Sequence, residues 1–287
     1  MRYAARPGVA AEDFERSETM HIRCGYDIVY DCPNPTPILL LLGLRPERLP
    51  DLVTPQVIGI HPDVARHEFI DRFGNQCTRI LAPAGPIRFT ADFVVADSGL
   101  PDIQTPDAVQ HPVNELPDDV LVFLLGSRYC ETDRLGWSAW NMFGHIAPGW
   151  GRVEAIVAWV HNRIEFGYAH ARNTRTAAEG FDEGLGVCRD FAHLAVTLCR
   201  CMNIPARYCT GYLGDIGIDP IPGPMDFSAW FEVYLGGAWH SFDARHNKPR
   251  IGRILMAIGR DATDTALSTS FGPAYLNKFD IIAEEVA

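Results

Sequence analysis

Between residues 21 and 95 apolar and polar positions alternate in short runs, with hardly a helical period among them. Side chains of a strand point alternately to opposite faces, so residues 21–30, 37–44, 68–72, 76–81 and 87–95 each read as a strand. Pro33, Pro35 and Pro37 break the first pair, Phe73-Gly74-Asn75 supplies a hairpin turn, and Asp97-Ser98-Gly99 closes the last run. Strands at this spacing predict a small antiparallel β-sandwich over residues 20–105. Pro106, Pro112 and Pro117 then interrupt regular structure, which places a linker at 106–117 and a second domain at 118–287. Residues 1–19 are polar, charged and aperiodic, and read as a flexible extension.

Beyond the linker the period changes. Val153, Ile156, Val157, Val160 and Ile164 fall on one helical face, after Gly149 and Gly151. A clearer stripe follows in Phe191, Leu194, Ala195, Leu198, Cys199 and Met202, stopped by Asn203 and Pro205. Strands are expected at 206–212, 227–235 and 238–244, the last two joined by Gly236-Gly237. The fold class is therefore α+β. Carried along its whole length, the hairpin opposes Glu232 to Ser241, Trp230 to Asp243 and Ser228 to Arg245, so that Ser228, Trp230, Glu232, Trp239, Ser241 and Asp243 share one face.

Charge and composition narrow the partners. The 287-residue chain carries a net charge of -11, and a negative field repels phosphate, which disfavours nucleic acid. No run approaches the roughly 20 apolar residues of a membrane helix, so no membrane partner is expected. The N-terminal segment lacks the apolar stretch of a signal peptide, which points to a cytoplasmic location with the eight cysteines reduced. Cys199, Cys201 and Cys209 lack paired C-x-x-C spacing, and no D-x-[DN]-x-[DN]-G loop occurs. No metal and no cofactor are expected.

Candidate chemistry begins at Gly186-Val187-Cys188-Arg189-Asp190-Phe191. A cysteine in the first turn of a buried helix faces unpaired N–H groups and the positive end of the dipole. These stabilise the nucleophilic thiolate and can donate to an oxyanion. Gly186 would leave room for substrate, and Trp230 would line the groove. A thiol site also needs a base beside the sulfur and an acceptor behind the base, and Ser228 and Asp243 stand on the right face for those places. Serine cannot accept a proton near neutral pH. Among other histidines, His193 lies about 140° round the helix from Cys188, His240 is on the opposite face of the hairpin, His170 sits in a loop that could approach Cys188, and His246 could fold back after the strand end. The Gly- and Pro-rich stretch 215–225 is expected to be a loop at the groove mouth.

Gly-Val-Cys-Arg-Asp-Phe-Ala-His-Leu at 186–194, Ile-Pro-Ala-Arg-Tyr at 204–208, Ser-Ala-Trp-Phe-Glu-Val-Tyr-Leu at 228–235 and Phe-Asp-Ala at 242–244 resemble the bacterial transglutaminase-like superfamily, which includes predicted cysteine proteases. The resemblance covers residues 150–250, and the β-rich stretch from His21 is similar to a domain often fused ahead of it. It implies a papain-like α+β core, a Cys-bearing helix packed on an antiparallel sheet that bears a histidine and then an aspartate. Carried over, Cys188 matches the nucleophile and Asp243 the orienting acid, while Ser228 stands where the family has histidine. Two readings stay open. One is a thiol enzyme for peptide, protein or small amide substrates, hydrolysing or transferring the acyl group with a substitute base or an intrinsically acidic thiol. The other is a degenerate fold that binds a peptide or small ligand without turnover.

Overall fold

The structure, a computed structural model, describes residues 19–220 and 223–286; the extension read at 1–19 lies, but for Thr19, outside the described residues. The alternating runs form strands β1 (Met20–Cys32), β2 (Thr36–Leu40), β3 (Gly59–His61), β4 (Arg66–Ile70), β5 (Gln76–Ala82) and β6 (Gly85–Asp97). Helices and strands then interleave: α1 (Thr132–Phe143), α2 (Trp150–Arg163), β7 (Glu165–Phe166), α3 (Ala177–Glu183), β8 (Leu185–Gly186), α4 (Cys188–Cys201), β9 (Ala206–Leu213), β10 (Ser228–Leu235), β11 (Ala238–Phe242), β12 (Arg253–Gly259), β13 (Ser268–Ser270) and β14 (Tyr275–Val286). The architecture is α+β.

Two antiparallel four-stranded sheets, β14-β1-β6-β3 and β13-β2-β5-β4, enclose one apolar core that includes Ile22, Leu40, Ile80, Phe89 and Phe93. Each sheet is completed from the far end of the chain, with β14 along β1 and β13 along β2. The sequence placed residues 268–286 with the second domain; the topology puts them in the first pair of sheets. Pairing with β14 removes what would otherwise be a long free edge on β1.

The third antiparallel sheet runs β11-β10-β9-β12. Alternation gives it two buried faces. Phe231 and Val233 of β10 pack with Leu194, Leu198 and the inner stripe of α2. On the opposite face Trp230, Cys209 and Ile258 meet Phe73. Beside Phe73, Asn75 exchanges two hydrogen bonds with the Ile258 backbone, at 2.8 and 2.9 Å. The turn between β4 and β5 thus docks the sandwich onto this third sheet. Gly236 and Gly237 both have positive φ (59° and 86°), as a two-residue hairpin demands. Among the described residues no helix is long and apolar enough to cross a membrane.

Candidate active site

Helix α4 opens at Cys188, and the approach to it is held by a buried ion pair. Asp190 accepts from the Val187 N–H at 2.9 Å and from Arg175 at 3.1 Å, and Arg175 also donates to the His170 carbonyl and to Glu183. A parallel bridge adds a bond from the Gly167 N–H to the Gly186 carbonyl. Gly186 therefore serves a different purpose from the substrate space read from the sequence. A Cβ there would lie 2.6 Å from Asp190 Cβ and 2.7 Å from its Oδ2, so the missing side chain makes room for the carboxylate that fastens the helix tip. Gly186→Ala is expected to cost about 1–3 kcal/mol of stability by overpacking, readable in a denaturant titration.

Cys188 is the only one of the eight cysteines that is not buried, and all eight are free thiols. Its side chain packs on Ala192, Tyr208 and Ala229 and lies where two cavities adjoin. One, of about 190 Å³, is walled by Tyr168, Asp226, Ser228, Arg245, His246 and Arg250 as well as Cys188. The other, of about 280 Å³, shares Cys188, Asp226 and Ser228 and extends past Tyr208 and Ala262. A thiolate held by the helix dipole was expected; the surroundings oppose it. Burial pushes the Cys188 thiol up to about 11, the Asp226 carboxylate adds to the rise, and Arg245 and the Ala229 N–H offset only part of it. Burial raises the Asp226 carboxyl too. These surroundings favour the neutral thiol over the thiolate.

Asp243 departs from the register expected of the hairpin. The ladder between β10 and β11 runs from Leu235↔Ala238 to Phe231↔Phe242 and ends there. Asp243 leaves the strand because its own side chain organises a turn. Oδ1 accepts the His246 N–H at 3.0 Å, and the Asp243 carbonyl accepts the Asn247 N–H at 2.8 Å. This turn swings His246 back, and its Nδ1 lies 2.8 Å from Asp243 Oδ2. Arg253 donates to the same oxygen at 3.0 Å and, through Nε, to both oxygens of Asp102 at 2.9 Å. Burial alone would raise the Asp243 carboxyl, but Arg253 and His246 overcome it and hold the group well below the usual carboxylate range. Burial lowers the His246 imidazole below 6.5, and Asp243 restores only part of the loss.

The remaining candidates are distributed unevenly. Ser228 is buried and lines both cavities. Trp230 does not reach the groove assigned to it: it is 2% exposed, packed with Cys209 and Ile258 under the Arg253 guanidinium. His193 is fully buried, accepts the Ala262 N–H at 3.1 Å and stacks on Tyr129. His240 lies 3.1 Å from the Leu235 carbonyl and edge-on to Trp150. His170 is fixed by its carbonyl to Arg175, while Tyr168 and Ala171 of the same loop reach the smaller cavity. Of the stretch 215–225, Asp215, Gly223, Pro224 and Met225 wall that cavity, and residues 221 and 222 lie outside the described residues. Asp102, Arg175 and Arg253 were missed, since nothing in their local sequence distinguishes them from surface charges. Among the described residues no cluster of three or more His, Cys, Asp or Glu could hold a metal.

Residues 140–244 match the family described as the Transglutaminase-like superfamily. A solved structure from Cytophaga hutchinsonii, provisionally named a cysteine protease, is similar over 94% of this chain and 92% of that one, with a TM-score of 0.82 and 31% identity. An uncharacterized protein of Mycobacterium leprae is 29% identical over 117 residues, which are 40% of this chain and 42% of the M. leprae protein.

Proposed function

The chain belongs to the transglutaminase-like superfamily, and from that membership we propose that it is a thiol enzyme acting on amide or ester carbonyls through an acyl intermediate on Cys188. One observation carries the reading: the half-buried sulfur stands at a helix tip where two cavities adjoin. An acyl donor can lie across such a junction with its acyl part on one side and its leaving group on the other. The N–H groups of Cys188 and Arg189, in the first turn of α4, have no intrahelical acceptor by position and can receive the oxyanion. Attack by sulfur gives a tetrahedral adduct, expulsion of the amine or alcohol leaves the thioester, and water or an acceptor amine releases the acyl group. Peptide, protein or small amide substrates fit this chemistry.

The second reading, a degenerate fold that binds without turnover, is favoured by Ser228 at the family histidine position and by the raised thiol. Incubation with an activated ester separates the two. Intact-mass analysis is expected to find one acyl group on Cys188 of the parent chain, followed by its release. An acyl adduct and turnover found only in Ser228→His, and never in the parent, would establish the degenerate reading.

A further inference from the structure

We propose that His246, carried on the turn after β11, is the general base that takes the Cys188 proton, with Asp243 as the residue that positions it. The proposal rests on the thiol-enzyme reading and supplies the group that Ser228 withholds.

Hydrogen-bond chemistry fixes which nitrogen is available. The Asp243 carboxylate, with Arg253 beside it, is ionised and can only accept, so His246 Nδ1 carries the proton in the 2.8 Å bond. Nε2 is then a lone pair. It is buried and has no hydrogen-bond partner among the described residues, although the His246 side chain is only 10% exposed. A buried acceptor left unpaired is costly. Ten other buried side-chain N or O atoms among the described residues also lack a partner, His111 Nε2 and His193 Nδ1 among them, and what sets His246 apart is that its ring lines the cavity of Cys188. The imidazole lines the same cavity of about 190 Å³ as the Cys188 sulfur. Backbone and side chain of His246 are both fastened to Asp243, Asp243 is fastened to Arg253, and Arg253 to Asp102. A histidine that only filled space would not need this support.

The step balances without a further reactant. As sulfur bonds to the carbonyl carbon, the thiol proton passes to Nε2 and the carbonyl π pair moves to oxygen. The imidazolium returns that proton to the departing nitrogen or oxygen as its bond to carbon breaks, and Asp243 stays ionised throughout. Burial raises the Cys188 thiol, and a base on the same cavity is placed to take its proton. The charged and titratable groups around the pair are Asp243 and Arg253 behind the ring, Arg245 on its own turn, and Tyr168, Asp215, Asp226 and Arg250 across the cavity. Asp226 is the rival base, since it lines the same cavities and its charge raises the thiol.

Alkylation of Cys188 by iodoacetamide as a function of pH tests the assignment. In the parent the rate is expected to rise on an acid limb below pH 6.5, where the imidazole loses its proton, and then to hold level until the thiol itself ionises near 11. In His246→Gln the level region disappears and the rate climbs about tenfold per pH unit with the thiolate fraction. The variant also loses about 100-fold or more in kcat/KM. Glutamine keeps the backbone N–H and a side-chain donor for Asp243, so the turn has what it needs to form. Parent and variant profiles that coincide, or a level region removed by Asp226→Asn and not by His246→Gln, would overturn the proposal. A parent profile without the level region overturns it with no variant at all. Acylation of Cys188 in the parent with unchanged turnover in His246→Gln removes His246 while leaving the thiol reading intact. Absence of any Cys188 adduct or turnover in the parent removes that reading, and the alkylation profile still decides whether His246 takes the proton.

Discussion

Replacing Cys188 with alanine is expected to abolish the acyl adduct and to lower amide or ester turnover by at least about 10⁴-fold, because removal of the nucleophile disables the catalytic unit as a whole. The loss should not come from the fold. Only one sulfur atom leaves a small contact with Ala192, Tyr208 and Ala229, and the ties that hold the helix tip run through Asp190, Arg175 and Gly186 and do not touch it. Stability should therefore change by about 1 kcal/mol or less, which a denaturant titration can read beside the activity. Cys188→Ser sharpens the test. A hydroxyl is far harder to deprotonate than a thiol, so serine is expected to rescue little of the rate. Labelling offers a second readout. The other seven cysteines are buried, and burial pushes the thiols of Cys24, Cys77 and Cys201 up to about 12, 11 and 11. Loss of nearly all iodoacetamide label in Cys188→Ala would mark this sulfur as the accessible one. Turnover that survived the substitution would sink the acyl-enzyme proposal.

How far the sequence could be read depended on how local each determinant was. Helix α4 was legible because its apolar stripe is unbroken and its end is marked twice, by Asn203 with φ of 59° and by Pro205 two residues later. The hairpin was legible because two glycines fix the turn, and with it five consecutive cross-strand pairs. Extending the same register to Trp230 and Asp243 failed. Alternation describes a strand only while the backbone ladder continues, and an aspartate can draw the backbone into a turn with its own carboxylate. That one departure moves His246 from beyond a strand end into the cavity. Trp230 was misread for a related reason. Its face of the sheet was correctly separated from that of Phe231, but what covers that face is Phe73, 157 positions earlier by subtraction of the two residue numbers. Asp102 and Arg253, 151 positions apart, and the pairing of β14 with β1 are likewise properties of the closed chain. The upward push on the Cys188 thiol comes from partial burial and from the Asp226 carboxylate, and neither is written in the residues next to Cys188.

Asp243→Ala is expected to lower the unfolding free energy by about 3–5 kcal/mol at neutral pH, the usual consequence of removing one partner from a buried ion pair. The carboxylate is 2% exposed and holds three groups at once: the Arg253 guanidinium, the His246 imidazole and the His246 N–H. Without it Arg253 keeps Asp102 on one side and loses its partner on the other. Acid should erode the difference between parent and variant. The folded carboxyl is held below its ordinary value of 3.8, so its contribution is complete above that value and is lost as the pH falls toward the folded one. Between pH 7 and pH 3 the gap should narrow by about 1 kcal/mol. The imidazole adds to the acid sensitivity of the parent in the same direction. Its folded value lies below 6.5, so the unfolded chain takes up a proton first as the pH drops, and stability falls from there. Denaturant titrations of both proteins at pH 7 and pH 3 test the assignment. A gap equally wide at the two pH values would mean that packing, and not the charge of Asp243, holds this turn. In that case the orientation of His246 would have to be traced to another group.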